Sequence, residues 1–205
     1  MKFWLFSAAW SFKTELKFVI FTLGLIFLLP LFAVMLLTNA GIDIISNKLA
    51  TSNPQTQSVQ IHDPLDGSVI KDFSPQVEWP VHGVVTLEFG AVDLPYQPLH
   101  TGIDIASPTG QVGDPVTSFM DGTVPYAGEI FWGYGKHIII DHGNNISSLY
   151  GHLDKIFVYP GEKVHLGQVI GNEGQTGWAT GPHVHFEVRV FGIPVNPRTF
   201  LSGNP

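Results

Sequence analysis

A long uncharged run of apolar residues stands near the start of the chain. Residues 18–37 read FVIFTLGLIFLLPLFAVMLL and contain no charged side chain. A helix of that length rises about 30 Å, the thickness of the hydrocarbon core of a bilayer. The pattern predicts a transmembrane helix over residues 18–38 that acts as a signal anchor. A cleaved signal peptide is the alternative, since the TNAG segment that follows resembles a cleavage site.

More basic residues precede this apolar run than follow it. Three lysines stand before the run, Lys2, Lys13 and Lys17, and one stands soon after it, Lys48. Because basic residues are enriched on the cytoplasmic side of membrane helices, we expect residues 1–17 in the cytoplasm and the chain beyond the helix outside it. The sequence therefore predicts a single-pass protein of the cell membrane whose outer domain faces the periplasm or the cell wall.

A polar segment follows the apolar run. Residues 46–60 read SNKLATSNPQTQSVQ and are rich in Ser, Thr, Asn and Gln. This composition is typical of a tether between a membrane segment and a folded domain. We therefore expect a polar linker over residues 39–61.

From about residue 62 the pattern changes to short apolar runs separated by turn residues. Runs such as VVTLEFG, HTGIDIA, KHIIIDHG and HVHFEVRVFG alternate with segments rich in Gly, Pro, Asn and Asp. No amphipathic stretch of helical period and useful length appears among them. This pattern predicts an all-β domain, a sandwich or a barrel-like sheet, over residues 62–205.

Charge and composition narrow the function classes. The 205 residues carry 10 Lys and Arg against 17 Asp and Glu, a formal net charge of −7. This balance argues against a nucleic-acid partner, because binding phosphates needs a basic surface. The absence of cysteine excludes disulfides and thiol catalysis. Nine histidines are present, eight of them beyond residue 80, so a bound metal would be held by histidine and carboxylate side chains.

Three motifs in the β-domain supply candidate chemistry. HTGID places His100 and Asp104 four residues apart, so that on a strand both side chains would share a face. HVH places His183 and His185 two residues apart, which again puts both on one face of a strand. The segment YGHLD adds His152.

These residues satisfy the ligand count of a zinc enzyme. Catalytic zinc sites typically use three protein ligands and leave a fourth position to water. His100, Asp104 and one histidine of the pair at 183 and 185 provide three. The other histidine of that pair and His152 would then be available for proton transfer and for stabilising an oxyanion.

Several motifs in a fixed order resemble the lysostaphin/LytM-type zinc endopeptidases, which cut peptidoglycan cross-bridges and stem peptides. They include HTGIDIASPTGQVGDPV, DGTVPYAG, GYGKHIIIDHGNNISSLYGHL, GQTGWATGPHVHFEV and GIPVNPRTFL, and the resemblance covers residues 78–202. It implies an antiparallel β-sheet roll with a groove over one Zn²⁺ ion.

The resemblance also implies roles for individual residues. It makes His100, Asp104 and His185 the zinc ligands, and it makes His152 and His183 the catalytic histidines. The implied activity is hydrolysis of peptide bonds in peptidoglycan by metal-activated water with histidine acid/base assistance.

Two alternative functions stay open. Some members of this family have lost ligands and act as activators of amidases, so a non-catalytic scaffold or activator of another wall hydrolase is one alternative. A zinc enzyme with a different substrate, such as a secreted bacteriolysin, is the other.

Contacts with the substrate are less well defined by the sequence. Many family members carry Arg soon after the FG at residues 89–90, where this chain reads FGAVDLPYQ. Contacts at the groove entrance are therefore not carried over from the family. We hypothesise that Trp178 and Tyr134 lie near the bound peptide.

Overall fold

The computed structural model describes five parts of the chain: residues 17–26, 29, 41–53, 55–92 and 99–205. Two compact units make up the chain, Met1–Ala40 and Gly41–Pro205, and each is described by itself.

The first unit contains the apolar run. Residues 17–26 are helical. Within the described parts of the chain, no helix is long and apolar enough to cross a membrane. Apart from residue 29, the rest of the span predicted at 18–38 lies outside the described residues, as do residues 1–16. The anchor therefore stays a prediction.

The second unit begins with a helix and strands inside the segment predicted as a linker. Residues 41–49 are helical. An antiparallel sheet follows in the order β1-β2-β3, formed by β1 (Ala50–Asn53), β2 (Ser58–His62) and β3 (Val69–Phe73). Leu49, Ala50, Val59 and Ile61 are buried in the hydrophobic core. Val59 and Ile61 occupy alternate positions of β2 and therefore reach the core from one face of that strand. The segment predicted as a linker thus contributes residues to the folded core.

Short strands continue along the rest of the described chain. They are β4 (Val84–Leu87), β5 (Ile103–Ala106), β6 (Pro115–Thr117), β7 (Gly122–Glu129), β8 (Lys136–Gly143), β9 (Ile146–Leu153), β10 (Lys155–Ile156), β11 (Lys163–Val164), β12 (Val169–Asn172), β13 (Val184–Val190) and β14 (Ile193–Val195). A short 3-10 helix, Pro197–Thr199, follows β14.

Most of these strands belong to one antiparallel sheet. Its order is β11-β7-β8-β9-β13-β5-β4, and β14 pairs with β13. A smaller sheet has the order β10-β12-β6. The described part of the second unit is thus built mainly from β-sheet, which confirms the all-β expectation for this domain.

Tight turns join neighbouring strands of the large sheet. Between β8 and β9, Gly143 pairs with Ile146, so that Asn144 and Asn145 form a two-residue loop. Both asparagines have positive φ, 51° and 60°. This is the type I′ geometry that matches the twist of a hairpin, and asparagine tolerates it better than most residues.

One hydrophobic core receives side chains from all three sheets. Ile61 from β2, Val116 from β6, Ile170 from β12 and Phe186 from β13 are all fully buried in it. Tyr150 from β9 is also buried, and its hydroxyl oxygen accepts hydrogen bonds from the Phe119 amide and the Ser148 hydroxyl. The core thereby holds the strands that carry the histidine motifs.

Strand β13 presents different chemistry on its two faces. The residues that enter the hydrophobic core are Val184, Phe186, Val188 and Val190. The alternate positions are polar and carry His185, Glu187 and Arg189. Since alternate residues on a strand point to opposite faces, these three side chains lie on the same face, away from the core residues of the strand.

Candidate metal centre

Three side chains converge where β5 pairs with β13 in the large sheet. Asp104 on β5 lies directly opposite His185 on β13 in the strand register, and His100 precedes β5. His100 Nε2, Asp104 Oδ1 and His185 Nδ1 lie 2.9 Å from one another in all three pairs. The three residues are buried, and within the described chain they form the group that could hold a metal ion.

The ring orientation of His100 is set by a backbone carbonyl. His100 Nδ1 lies 3.1 Å from the Glu88 carbonyl oxygen, to which it donates a hydrogen bond. In the neutral imidazole the other nitrogen then has no proton. The Nε2 atom of His100 therefore presents a lone pair to Asp104 and His185.

The ring orientation of His185 is set by a carboxylate. His185 Nε2 lies 3.1 Å from Glu187 Oε1. Because a carboxylate oxygen accepts, Nε2 carries the proton and Nδ1 presents its lone pair to Asp104 and His100.

The cluster fits a zinc ion. Two nitrogen lone pairs and one carboxylate oxygen face each other at 2.9 Å. Three acceptors at this distance repel one another unless a cation lies among them. Two imidazoles and one carboxylate are also the donor set of catalytic zinc sites that keep an open position.

The ionisation of the cluster likewise favours a positive charge. Burial opposes the charged form of Asp104, but the neighbouring imidazoles of His100 and His185 outweigh burial and hold the Asp104 pKa well below its usual range. Burial works to lower the pKa of His185, but hydrogen bonds with Asp104 and Glu187 raise it to about 9. The cluster therefore attracts a cation, and a proton competes with a metal for the same place.

The two predicted catalytic histidines lie beside the three candidate ligands. His183 Nε2 is 3.5 Å from Asp104 Oδ2, and the ring centroids of His152 and His183 are 4.8 Å apart. His183 Nδ1 donates to the Gly181 carbonyl at 2.9 Å, and His152 Nδ1 donates to the Thr176 carbonyl at 2.8 Å. In the neutral form of each ring, Nε2 has no proton and can accept one.

His152 remains neutral over a wide pH range. Burial, followed by the charges of His183 and His185, lowers its pKa to about 4. Its backbone has φ 62°, a left-handed conformation that is unfavourable for a residue with a Cβ. The His152 amide donates to the Tyr134 carbonyl at 2.7 Å, which helps to hold this conformation. Strained backbone of this kind is concentrated at functional sites.

Glu187 was not among the residues predicted from the sequence motifs. This fully buried carboxylate bonds to His185, and its pKa is lowered to about 2: burial raises it, but contacts with His185 and Arg189 outweigh burial. The motif HVHFEVR contained a signal for Glu187, because residues 183, 185, 187 and 189 occupy every second position and so share one face of a strand.

The two aromatic residues expected near a peptide differ in their surroundings. The Tyr134 ring lies 5.5 Å from the His185 ring, and its hydroxyl donates to Glu187 at 2.8 Å. Trp178 is half exposed, and its amide donates to the Gly133 carbonyl in the loop that carries Tyr134. Contact of either side chain with a peptide stays a prediction.

The site residues fall within a region that matches a known family. Residues 98–197 match the model described as Peptidase family M23. A catalytic domain of the prophage-encoded M23 protein EnpA from Enterococcus faecalis is 36% identical with a TM-score of 0.52, over 62% of this chain and 97% of that chain. The chain belongs to peptidase family M23. This M23 membership confirms the resemblance drawn from the sequence motifs.

Curated M23 relatives carry two kinds of name. The DD-carboxypeptidase/endopeptidase Mpg of Neisseria meningitidis is 46% identical over 107 residues, which are 52% of this chain and 24% of that protein. The murein hydrolase activator NlpD of Escherichia coli is 39% identical over 123 residues, which are 60% of this chain and 30% of that protein. The M23 chain thus spans less than a third of the length of either relative.

Proposed function

We propose that this M23 chain is a zinc-dependent endopeptidase that hydrolyses peptide bonds in peptidoglycan cross-links or stem peptides. The observation that carries the proposal is the set of three acceptor atoms, mutually 2.9 Å apart, with two further histidines beside it. The family includes zinc metallopeptidases. The named relative Mpg, a DD-carboxypeptidase/endopeptidase, supports a substrate in the cell wall.

Three residues would hold the ion. His100 Nε2, Asp104 Oδ1 and His185 Nδ1 are the atoms that would bind it. When bound, zinc supplies a Lewis acid that polarises a carbonyl and lowers the pKa of water from 15.7 to about 7. Because the ligands are buried, electrostatic attraction to a developing negative charge is stronger there than in water.

The two other histidines would move the proton. His183 and His152 each bind a backbone carbonyl through Nδ1–H, so their Nε2 atoms can accept a proton from the attacking water. Either ring can return that proton to the leaving amine. A protonated ring is also a donor that stabilises an oxyanion. The pKa of His152, about 4, leaves that ring unprotonated near neutral pH.

The alternative function is that of a non-catalytic activator of another murein hydrolase. The relative NlpD, named a murein hydrolase activator, favours it. The presence of all three ligand side chains and of both His152 and His183 favours the enzyme.

Digestion of purified sacculi separates the two functions. We expect the full chain to release peptide fragments with new amino termini, detected by mass spectrometry, and we expect a chelator to stop the release. The His152→Ala variant should retain the metal and lose most of the activity. A chain that releases nothing alone, but stimulates a second murein hydrolase, would establish the activator instead.

We further propose that residues 18–38 anchor the chain in the cell membrane with the M23 domain, over residues 62–205, outside the cytoplasm. The support is the uncharged apolar run with three lysines before it. We expect the full chain in the membrane fraction, released by detergent and not by alkaline carbonate. A mature chain that begins near residue 40 would establish the cleaved signal peptide.

A further inference from the structure

We propose that Glu187 is a positioning residue that fixes His185 as a metal ligand. The inference rests on the zinc site of the proposed function and extends it to residues outside the ligand set. Glu187 is held by three further side chains, and we call the four together the Glu187 brace. Its members are Thr101, Tyr134, Glu187 and Arg189.

One carboxylate oxygen of Glu187 gathers three donors. Oε1 lies 3.1 Å from His185 Nε2, 2.8 Å from Tyr134 Oη and 2.5 Å from Thr101 Oγ1. Because this oxygen can only accept, it selects the ring form of His185 in which Nε2 carries the proton. The Nδ1 lone pair is then directed into the ligand cluster. A hydrogen bond of this kind orients a ligand ring and raises its basicity.

The other carboxylate oxygen is paired with Arg189. Oε2 lies 2.6 Å from both Nε and Nη2 of the guanidinium group. Nη2 also donates to Tyr134 Oη at 3.3 Å. Glu187 is fully buried, and a buried carboxylate without a partner is strongly unfavourable. Arg189 therefore lets Glu187 remain charged, and only the charged form accepts through both oxygens.

Thr101 connects the brace to the HTGID segment, which carries the other two ligands. Gly102 follows it and has no room for a side chain. A Cβ there would collide with the Phe186 carbonyl oxygen and come within 3.0 Å of Glu187 Cγ. The glycine lets this segment approach β13 closely enough for the Thr101 hydroxyl to reach Glu187. The brace thus ties the strand of His185 to the segment of the other ligands.

The test is the Zn²⁺ affinity of the full chain, measured by competition with a chromophoric chelator. In Glu187→Gln an amide replaces the carboxylate and presents N–H groups to donors of the brace, so the contacts around His185 cannot all persist. We expect the affinity to fall 10–100-fold, the usual range for a residue that orients a ligand. The Co²⁺-loaded variant should also show an altered visible absorption spectrum, because the ligand field at the ion changes.

Thr101→Val is a milder variant that removes a single hydroxyl from the brace. We expect a smaller loss of Zn²⁺ affinity, of a few fold. Thr117→Val is the matched control, since its hydroxyl bonds to the Pro80 carbonyl at 3.3 Å and has no contact with the brace among the described residues. The affinity of this control should equal that of the wild type.

The outcomes separate this inference from the proposed function. A folded Glu187→Gln variant with wild-type Zn²⁺ affinity and an unchanged Co²⁺ spectrum would overturn the inference and leave the peptidase proposal standing. If Glu187→Gln does not fold, equal affinities for Thr101→Val and Thr117→Val overturn it. A wild-type chain that binds no Zn²⁺ would instead refute the zinc site itself.

Discussion

Asp104 and His185 lie directly opposite each other on neighbouring antiparallel strands, and Asp104 Oδ1 is 2.9 Å from His185 Nδ1. Directly opposed residues are the closest side-chain neighbours that a sheet offers. The register of β5 against β13 therefore builds most of the proposed metal site. His100, from the segment before β5, completes it.

Zinc should stabilise the wild-type fold. Three ligands that come together only in the folded chain bind the ion preferentially in that state, so binding adds to the free energy of unfolding. At a free Zn²⁺ concentration of 100 times Kd, we expect a gain of about 2.7 kcal/mol. Asp104→Ala should lose most of this gain. Thermal unfolding with and without Zn²⁺ measures this gain. Asp114→Ala is the control that should keep it, because the Asp114 carboxylate accepts a hydrogen bond from the Thr109 hydroxyl at 2.6 Å and is not one of the three ligands.

Zinc affinity should increase with pH. Without metal, the raised pKa of His185, about 9, means that the cluster holds a proton at neutral pH. That proton must leave when the metal binds, so affinity should rise about tenfold per pH unit below pH 9. Between pH 6 and pH 8, competition titrations should therefore show about a hundredfold change. Calorimetry in buffers of different ionisation enthalpy should count about one proton released; no release would contradict the assignment.

The left-handed backbone at position 152 should favour glycine over alanine in stability. His152→Gly and His152→Ala should both retain zinc and lose sacculus digestion by 10²–10⁴-fold, because each lacks the imidazole. The glycine variant should be the more stable by about 1 kcal/mol, since φ 62° strains a residue with a Cβ.

Denaturant unfolding measures this difference between the two His152 variants. Ser147 in the same strand has no positive φ, so there the order should reverse and Ser147→Ala should be more stable than Ser147→Gly. Equal stability of the two His152 variants would show that position 152 is not strained.

Gly102 should not tolerate a side chain. In Gly102→Ala the new Cβ would meet the backbone of Phe186, which cannot rotate away. We expect a loss of about 1–3 kcal/mol in the free energy of unfolding, the usual cost of overpacking, together with weaker zinc binding. Gly41→Ala is the control, because among the described residues outside its own helix no atom lies within 4 Å of its Cβ position. A wild-type melting temperature for Gly102→Ala would refute the close approach.

Much of the site could be predicted from local spacing. The alternation in HVHFEVR placed His183 and His185 on one face, and the same alternation held the unused signal for Glu187. The sequence did not predict the helix at 41–49 or the strands β1 and β2. The segment that contains them is mostly polar, and only a few of its apolar residues reach the core. Local composition cannot show that a distant sheet offers those residues a place to be buried.

The sequence by itself determined the kind of chemistry: histidine and carboxylate ligands without cysteine, on short strands with two-residue periodicity. Only the tertiary structure decided which nitrogen of each ring faces the proposed metal site. The Glu88 carbonyl makes that choice for His100, and the Glu187 carboxylate makes it for His185. The physical reason is that the proton of a neutral imidazole lies on the nitrogen that faces a hydrogen-bond acceptor. For His100 that acceptor is the carbonyl of Glu88, which directly follows β4 and is brought near by the pairing of β4 with β5.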